Sequence, residues 1–303
     1  MSTLASPRPL APPITLSPLV LLCLAATWLV WGSTYLAIKF ALLSFPPFFQ
    51  MGTRFLFAGV LLMAWMRWRG AAWPDRRQWR NALVVGTLML GGGMGGTALA
   101  ETSVGSGLVV AFIAVVPLMI AALNLLWRIV PGRLETAGIA VGLGGVLMLT
   151  QGAGFQASPA GLAAIVVACV TWSLGSVLSQ RSLPLAPGAT GFASEMICGG
   201  VVLLALALIT GERPAWPPQP IAVAAWFYLV GFGSLIAFNA YMLLLARAPA
   251  GLASSYTFVN PVIAMLLGVA VAGEVVSSFE WLAAGVVLVG VVLMLRGAAR
   301  SRR

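Results

Sequence analysis

Ten long runs of apolar residues follow one another along the chain. They cover residues 18–41, 46–67, 79–100, 105–127, 134–150, 159–181, 188–210, 219–246, 251–272 and 279–296. A helix needs roughly 20 residues to cross the hydrocarbon layer of a bilayer, and these runs have that length within a few residues. The pattern therefore predicts an all-α polytopic membrane protein with ten transmembrane helices and only short loops between them.

A short pattern occurs twice within this series of helices. Residues 107–117 and 251–261 each begin with Gly-Leu and end with a proline ten residues after the glycine. A proline inside a helix removes a backbone donor and loosens the preceding turn. We therefore expect helix breaks at Pro117 and Pro261, and matched breaks in two halves of a transporter mark gates beside a central site.

Other residues recur at similar spacings. Trp31, Pro46 and Gly59 match Trp172, Pro187 and Gly200 after 141 positions, and Glu135 and Gly145 match Glu280 and Gly290 after 145. Each copy holds five helices, and because five is odd the second copy enters the membrane from the opposite side. This predicts two inverted five-helix repeats. The predicted units are a disordered cytoplasmic tail at 1–17, repeats at 18–151 and 158–297, and a basic cytoplasmic tail at 298–303.

The composition agrees with this class and excludes several kinds of chemistry. Apolar residues make up 60% of the chain and charged residues 8%, and there is no histidine. Histidine proton relays, histidine metal sites and Ser-His-Asp catalysis are thereby excluded. Cys23, Cys169 and Cys198 lie inside apolar runs without metal-ligand spacing, so we expect small apolar fillers, no metal site and no cofactor.

The net charge of +10 is explained by membrane topology. With the N-terminus in the cytoplasm, the cytoplasmic segments contain fourteen of the seventeen basic residues, and only Lys39, Arg54 and Arg213 lie elsewhere. Cytoplasmic loops of membrane proteins carry such an excess of Lys and Arg. Both termini are therefore predicted to be cytoplasmic. A phosphate-binding G-K-[ST] motif is absent from the sequence, so direct use of ATP by this chain is not expected.

The ordered motifs resemble the ten-helix EamA family of the drug/metabolite transporter superfamily. In the first half these are W-G-S-T-Y-L-A-I-K at 31–39, P-P at 46–47 and R-F-L-F-A-G at 54–59; in the second half they are W-S-L-G-S at 172–176, N-A-Y at 239–241 and S-Y-T-F-V-N-P at 255–261. The resemblance implies a bacterial inner-membrane exporter that works by alternating access. It also implies a cavity lined by helices one, three, four, six, eight and nine. One departure is that Gly273-Glu274 has no counterpart in the first half, where Val130-Pro131 stands.

Polar and aromatic side chains inside the apolar runs are the candidate substrate contacts, because each would otherwise carry a cost in lipid. The candidates are Trp28, Ser33, Tyr35, Thr97, Trp172, Asn239, Ser255, Tyr256 and Asn260. Packing and interfacial anchoring remain alternatives for the aromatic residues, and repair of a broken helix remains an alternative for Asn260. Since the run before Pro261 is more polar than the run before Pro117, we expect it to face the cavity more.

Two acidic residues are candidates for proton coupling. Glu101 follows the glycine-rich stretch 91–96, and Glu195 lies inside the seventh run. The alternatives are an interfacial acid for Glu101 and packing near the membrane boundary for Glu195. Arg54 occupies the position equivalent to Glu195, and we expect it to pair locally or to cap carbonyls rather than to bond to Glu195. Lys39 is expected to anchor the outer end of the first helix.

The sequence thus predicts a secondary active transporter that exports small organic metabolites, with amino acids as the first candidates. A passive facilitator or a multidrug exporter is the alternative, and a membrane-embedded enzyme is a remote one, since paired acids are not found within one span. The expected partners are a small-molecule substrate and the lipid bilayer, without nucleic acid. A monomer is compatible with the sequence, and the oligomeric state stays open.

Overall fold

The structure is a computed structural model that describes residues 17–104, 109, 112–149, 151, 158–272 and 277–300. In these residues the long elements are helices, numbered here in chain order. They are α1 Pro18–Ala41, α2 Pro47–Trp68, α3 Arg76–Ala100, α4 Val116–Trp127, α5 Arg133–Leu149, α6 Pro159–Arg181, α7 Ala189–Ile209, α8 Pro220–Arg247, α9 Tyr256–Ala272 and α10 Ser278–Arg300. Seven of these described helices are long and apolar enough to span a membrane, and α4 is a shorter apolar helix.

The described helices confirm the prediction of an all-helical polytopic protein, with small differences at the ends. Helix α10 runs to Arg300, beyond the boundary predicted for the basic tail at 298. Residues 105–108 and 110–111 of the predicted fourth run lie outside the described residues, and so do residues 1–16 of the predicted N-terminal tail. Large apolar side chains such as Leu22 and Leu208 are exposed on the outer surface, as expected of helices that face lipid.

Equivalent helices of the two halves begin with the same local signal. Ser17 precedes Pro18 and its Oγ accepts a hydrogen bond from the backbone N–H of Val20 at 3.3 Å. Ser158 precedes Pro159 in the same way and accepts from the N–H of Gly161 at 3.0 Å. A serine N-cap followed by a proline at the first helical position satisfies one free N–H group and removes another.

Helices α2 and α7 form one outer pair of the bundle. Gly52 meets Leu204 and Gly59 meets Ile197, so the two helices run antiparallel. The contact is close, since a Cβ atom on Gly59 would lie 2.8 Å from the backbone nitrogen of Ile197. Between membrane helices, where lipid removes most of the hydrophobic driving force, such small residues allow tight packing.

Helices α5 and α10 form the second outer pair by the same means. Gly138 meets Met294 and Gly145 meets Val287, and this pair is again antiparallel. A Cβ atom on Gly290 would lie 2.5 Å from the backbone nitrogen of Gly142. Each of the two pairs thus joins helices that are equivalent in the predicted repeat, and its members run in opposite directions, as an inverted repeat requires.

Helices α3 and α8 each contain a π-helical segment, which the sequence did not predict. It covers Thr87–Met94 in α3 and Leu229–Phe238 in α8, so the two segments occupy similar places in the two halves. In α8 the Asn239 side chain donates to the carbonyl oxygens of Leu235 at 2.9 Å and Ser234 at 3.3 Å. Wide π turns leave carbonyl groups poorly satisfied, and they occur frequently beside functional sites.

Candidate functional site

A cavity lies at the centre of the bundle, between the two outer helix pairs. The cavity has a volume of about 50 Å³. Its wall consists of Trp31, Thr34, Tyr35, Ile38, Gly93, Met94, Thr97, Ile113, Val116, Ala168, Cys169, Trp172 and Tyr256.

Helix α1 supplies one continuous stripe of this wall. Trp31, Thr34, Tyr35 and Ile38 are spaced by three and four residues, so they share one face of the helix. The indole Nε1 of Trp31 donates to the carbonyl oxygen of Gly233 in the π segment of α8 at 3.3 Å. This contact ties the wall of the cavity to the irregular part of α8.

An aromatic cluster closes one side of the cavity. The rings of Trp31 and Trp172, which are equivalent residues of the two halves, meet edge to face with centroids 5.7 Å apart. Tyr256 packs against Trp31 at 4.6 Å, and Tyr241 lies 5.2 Å from both tryptophans. Aromatic rings of this kind offer a large apolar surface to an organic solute and a face that attracts cations.

Hydrogen bonds hold the buried tyrosine of this cluster in place. The Nε1 of Trp172 donates to the hydroxyl of Tyr241 at 3.2 Å, and the hydroxyls of Ser176 and Tyr241 are 2.9 Å apart. Tyr241 is fully buried. A polar bond inside a dry cluster fixes ring orientations, because leaving either partner unpaired would be costly.

The remaining wall is neutral and mostly apolar. The hydroxyl of Thr34 donates to the carbonyl oxygen of Trp31 at 2.8 Å, and that of Thr97 donates to Gly93 at 2.8 Å. These groups are therefore occupied by their own helices. In the described part of the chain no cluster of three or more His, Cys, Asp or Glu side chains could hold a metal ion.

Four of the nine predicted substrate contacts lie on the cavity wall, namely Tyr35, Thr97, Trp172 and Tyr256. The sequence reasoning missed Trp31, Thr34 and Ile38. The signal for them was present, because Trp31 matches Trp172 in the repeat and the other two follow it at helical spacing on the same face.

The other five predicted contacts, Trp28, Ser33, Asn239, Ser255 and Asn260, do not line the wall. Trp28 Nε1 donates to Ser255 Oγ at 3.0 Å, and Ser33 Oγ lies 2.6 Å from the Tyr228 hydroxyl. Asn239 bonds to carbonyls of its own helix. Asn260 is buried beside the Tyr35 hydroxyl, and within the described residues its amide makes no hydrogen bond of good geometry.

The two predicted helix breaks differ in position. Helix α4 begins at Val116 directly after a turn at 114–115, so Pro117 stands in its first turn, where its missing N–H is not needed. Before α9 the break lies at 254–255, and Pro261 is inside the helix that follows. The prediction of a break immediately before Pro261 is therefore wrong. The Thr257 hydroxyl donates to the Ser254 carbonyl at 2.9 Å and satisfies part of the opened turn.

The expectation that the polar run before Pro261 faces the cavity more than the apolar run also needs correction. Ile113 and Val116 from the apolar run line the wall. From the polar run the wall receives Tyr256, while Ser254, Ser255 and Thr257 are packed inside the protein. The Thr257 hydroxyl bonds to a backbone carbonyl of the break and the Ser255 hydroxyl accepts from Trp28 of α1, so these two groups are used within the protein.

The carboxylates and cations considered in the sequence, Glu101, Glu195, Arg54 and Lys39, are not part of the cavity wall. Glu195 in α7 is fully buried, and neither carboxylate oxygen has a hydrogen-bond partner among the described residues. Glu101 follows α3, and its Oε1 is buried without a hydrogen-bond partner among the described residues. Arg54 in α2 is fully buried and makes no hydrogen bond to Glu195, and Lys39 is exposed at the end of α1.

A helical bundle of apolar spans around a central aromatic cavity defines the class of membrane transporters. The EamA-like transporter family model matches this chain twice, at residues 17–151 and 159–296. The chain therefore belongs to the EamA-like transporter family, and its two halves are copies of one unit. This confirms the resemblance that the sequence motifs indicated.

Relatives and a solved structure agree with this assignment. The uncharacterized inner membrane transporter YedA of Escherichia coli (strain K12) is 41% identical over 275 residues, which is 90% of either chain. The uncharacterized transporter sll0355 of Synechocystis is 30% identical over 305 residues and matches 90% of this chain and 88% of its own. A crystal structure with 23% identity superposes with a TM-score of 0.77 over 94% of this chain and 99% of the other, and it supports the fold.

Proposed function

We propose that this protein is a secondary active transporter that exports small organic metabolites across a bacterial inner membrane. Amino acids are the first candidates for the substrate. Alternating access is supported by the cavity, which lies between two halves whose equivalent outer helices run antiparallel. One side of the cavity is closed by the cluster of Trp31, Trp172, Tyr241 and Tyr256. That closure is the single observation that favours a carrier over an open pore.

The proposed orientation places both termini in the cytoplasm, because this puts most arginines on the cytoplasmic side. In this orientation the outer ends of α1 and α3, with Ile38 and Thr97, line the cavity, while Tyr241 and Ser176 close its inner side. The π segments of α3 and α8 and the turns before α4 and α9 are the proposed gate elements. Irregular backbone inside a membrane protein is tolerated only where protein or a water-filled cavity covers it, and π turns occur frequently at functional sites.

Counterflow in proteoliposomes tests the carrier. We expect labelled amino acid outside to exchange against unlabelled amino acid inside faster than it leaks through the same membrane, whereas a passive pore shows no such acceleration. Trp172→Ala should abolish the exchange because it removes the ring that joins both halves. Trp68→Ala is the matched control, since Trp68 is 75% exposed at the end of α2. Equal rates with and without internal amino acid would contradict the proposal.

Coupling to protons through Glu101 and Glu195 is part of the same proposal. Both carry buried carboxylate oxygens without hydrogen-bond partners among the described residues, which is a property of groups that exchange protons in membranes. Glu101→Gln combined with Glu195→Gln should remove the dependence of transport on an imposed pH gradient and preserve counterflow. A gradient dependence that survives in the double variant would eliminate these residues as the coupling groups.

A further inference from the structure

Arg54 is a buried cation whose hydrogen-bonding groups are mostly unused. The side chain is fully buried in α2, its Nε donates to Ser234 Oγ at 3.1 Å, and its Cζ lies 4.5 Å from the ring centre of Phe55. In the part of the chain that the structure describes, neither Nη atom has a hydrogen-bond partner. A guanidinium group removed from water is costly unless an anion accompanies it. The site is therefore incomplete as it stands.

A second unsatisfied side chain lies one turn away. Gln50 precedes Arg54 by four residues on α2 and is likewise fully buried. Its amide nitrogen and oxygen also lack hydrogen-bond partners among the described residues. Residues four apart project from one face of a helix. The two side chains together offer several N–H donors in a place where water and lipid do not satisfy them.

Gly233 lies between Arg54 and the cavity wall. A Cβ atom on Gly233 would lie 3.4 Å from Cγ2 of Thr34, 3.7 Å from Cδ2 of Leu229 and 3.9 Å from Cζ of Arg54. Thr34 belongs to the cavity wall. The side chain that glycine lacks therefore leaves a space of about one methyl group between the wall and the guanidinium. An alanine at this position would fill that space.

Among the described residues, neither Glu101 nor Glu195 occupies this position. Glu101 is close enough to act on Arg54 electrostatically, but it makes no hydrogen bond to either Nη atom, and its own Oε1 is buried without a described partner. Glu195, the residue equivalent to Arg54 in the second half, makes no described contact with it. An anion that approaches from the cavity would find both Nη groups free.

We propose that Arg54, with Gln50 beside it, forms a carboxylate-binding subsite next to the cavity, and that the methyl-sized space at Gly233 is where the bound molecule passes from the wall at Thr34 to the guanidinium. The planar guanidinium binds a carboxylate through two parallel N–H bonds, which an ammonium group cannot reproduce. The aromatic wall receives the apolar part of the same molecule. This inference rests on the proposed transport function and narrows its substrate class to organic molecules that carry a carboxylate.

Thermal unfolding of the full-length protein in detergent tests the ligand class. L-phenylalanine and 3-phenylpropanoate carry the carboxylate, whereas L-phenylalaninamide and 3-phenylpropanol keep the ring without it; L-leucine and L-leucinamide form a second pair with a smaller body. Because a ligand stabilises the folded state that binds it, we expect the carboxylates to raise the Tm and the other compounds to leave it unchanged. The inference is wrong if carboxylates stabilise no more than their uncharged or amide partners.

Three variants locate the subsite. Arg54→Gln should abolish the carboxylate-dependent rise in Tm, and Gly233→Ala should greatly reduce it while preserving the guanidinium. Gly231→Ala is the matched control on the same π segment, because a Cβ atom there meets nothing within 4 Å, and it should keep the full rise. A rise that persists in Arg54→Gln or in Gly233→Ala overturns the proposal. If Arg54→Gln does not fold, the Tm measurement on Gly233→Ala tests the proposal by itself. We expect this variant to fold, because its added methyl group meets its neighbours at ordinary contact distances.

Counterflow separates this inference from the transport proposal. If solutes without a carboxylate are exchanged by the wild type and equally by Arg54→Gln, the subsite is wrong and the carrier remains. If no solute is exchanged, but carboxylates still raise the Tm of the wild type and not that of Arg54→Gln, the transport proposal is wrong and the proposal of a carboxylate subsite stands.

Discussion

Helices α1 and α6 are equivalent in the repeat, yet they contribute to the cavity in opposite ways. On α1 the wall consists of Trp31 and the residues that follow it, up to Ile38. On α6 it consists of Trp172 and residues that precede it, from Ala168 onward. The repeat predicts that the two helices run in opposite directions. The residues that follow Trp31 in α1 and those that precede Trp172 in α6 then lie on the same side of the tryptophan pair, where the cavity is.

Residues of α1 that line the cavity have equivalents in α6 that are buried against other helices. Tyr35 faces the cavity, whereas its equivalent Ser176 is buried and bonds to Tyr241. Thr34 faces the cavity, whereas its equivalent Gly175 lies against α3, where a Cβ atom would be 2.5 Å from Met89 Cγ. The same sequence positions are thus open in one half and closed in the other. An exchange of these two arrangements would open the cavity to the opposite side, as the proposed mechanism requires.

The largest expected difference between α1 and α6 is in the accessibility of cysteines placed at equivalent positions. In a background with Cys23, Cys169 and Cys198 changed to Ser, we expect Tyr35→Cys to react with a hydrophilic methanethiosulfonate about tenfold faster than Ser176→Cys, because the state that exposes Ser176 is the minor one. Reaction rates are measured by mass spectrometry on permeabilised vesicles.

The exposed Ser182 at the end of α6 supplies the control for this experiment. Ser182→Cys reports that the reagent reaches the far side of the membrane, so slow reaction of Ser176→Cys then reflects burial. Equal rates at Tyr35→Cys and Ser176→Cys would mean that the two copies are equally open, and the comparison of α1 with α6 would lose its basis.

A smaller effect is expected from the hydroxyl that holds the closed side. Tyr241→Phe leaves Trp172 Nε1 without its partner inside the cluster. Loss of a buried partner costs about 1–3 kcal/mol, so the variant should unfold at lower temperature and should speed the reaction of Ser176→Cys. Tyr228→Phe on the same helix is the control, because its hydroxyl bonds to Ser33 outside the cavity wall. Identical labelling rates in both variants would show that Tyr241 does not maintain the closure.

Part of the site could be predicted because repeated residues mark it. Trp172 repeats Trp31 in the second half, Tyr35 follows Trp31 in the motif at 31–39, and both Trp172 and Tyr35 line the cavity. The roles of Asn239 and Asn260 could not be predicted in this way. A side-chain amide in a membrane helix can hydrogen-bond to the carbonyls of an irregular turn as well as to a substrate. In α8 the Asn239 amide donates to a backbone carbonyl of the π segment. The uniformly apolar sequence of this segment gives no signal that it is π-helical.

The sequence by itself determined that the protein is helical and in which order its apolar segments follow one another. Helix α1 spans Pro18–Ala41, the range of the apolar run, because its backbone groups must be satisfied within the segment in a bilayer. The tertiary structure decided which face of each helix lines the cavity, and that Gly233 lies between Thr34 of the wall and Arg54. Lipid and protein interior are equally apolar, so the hydrophobic pattern that marks the buried face of a soluble helix carries no such information here.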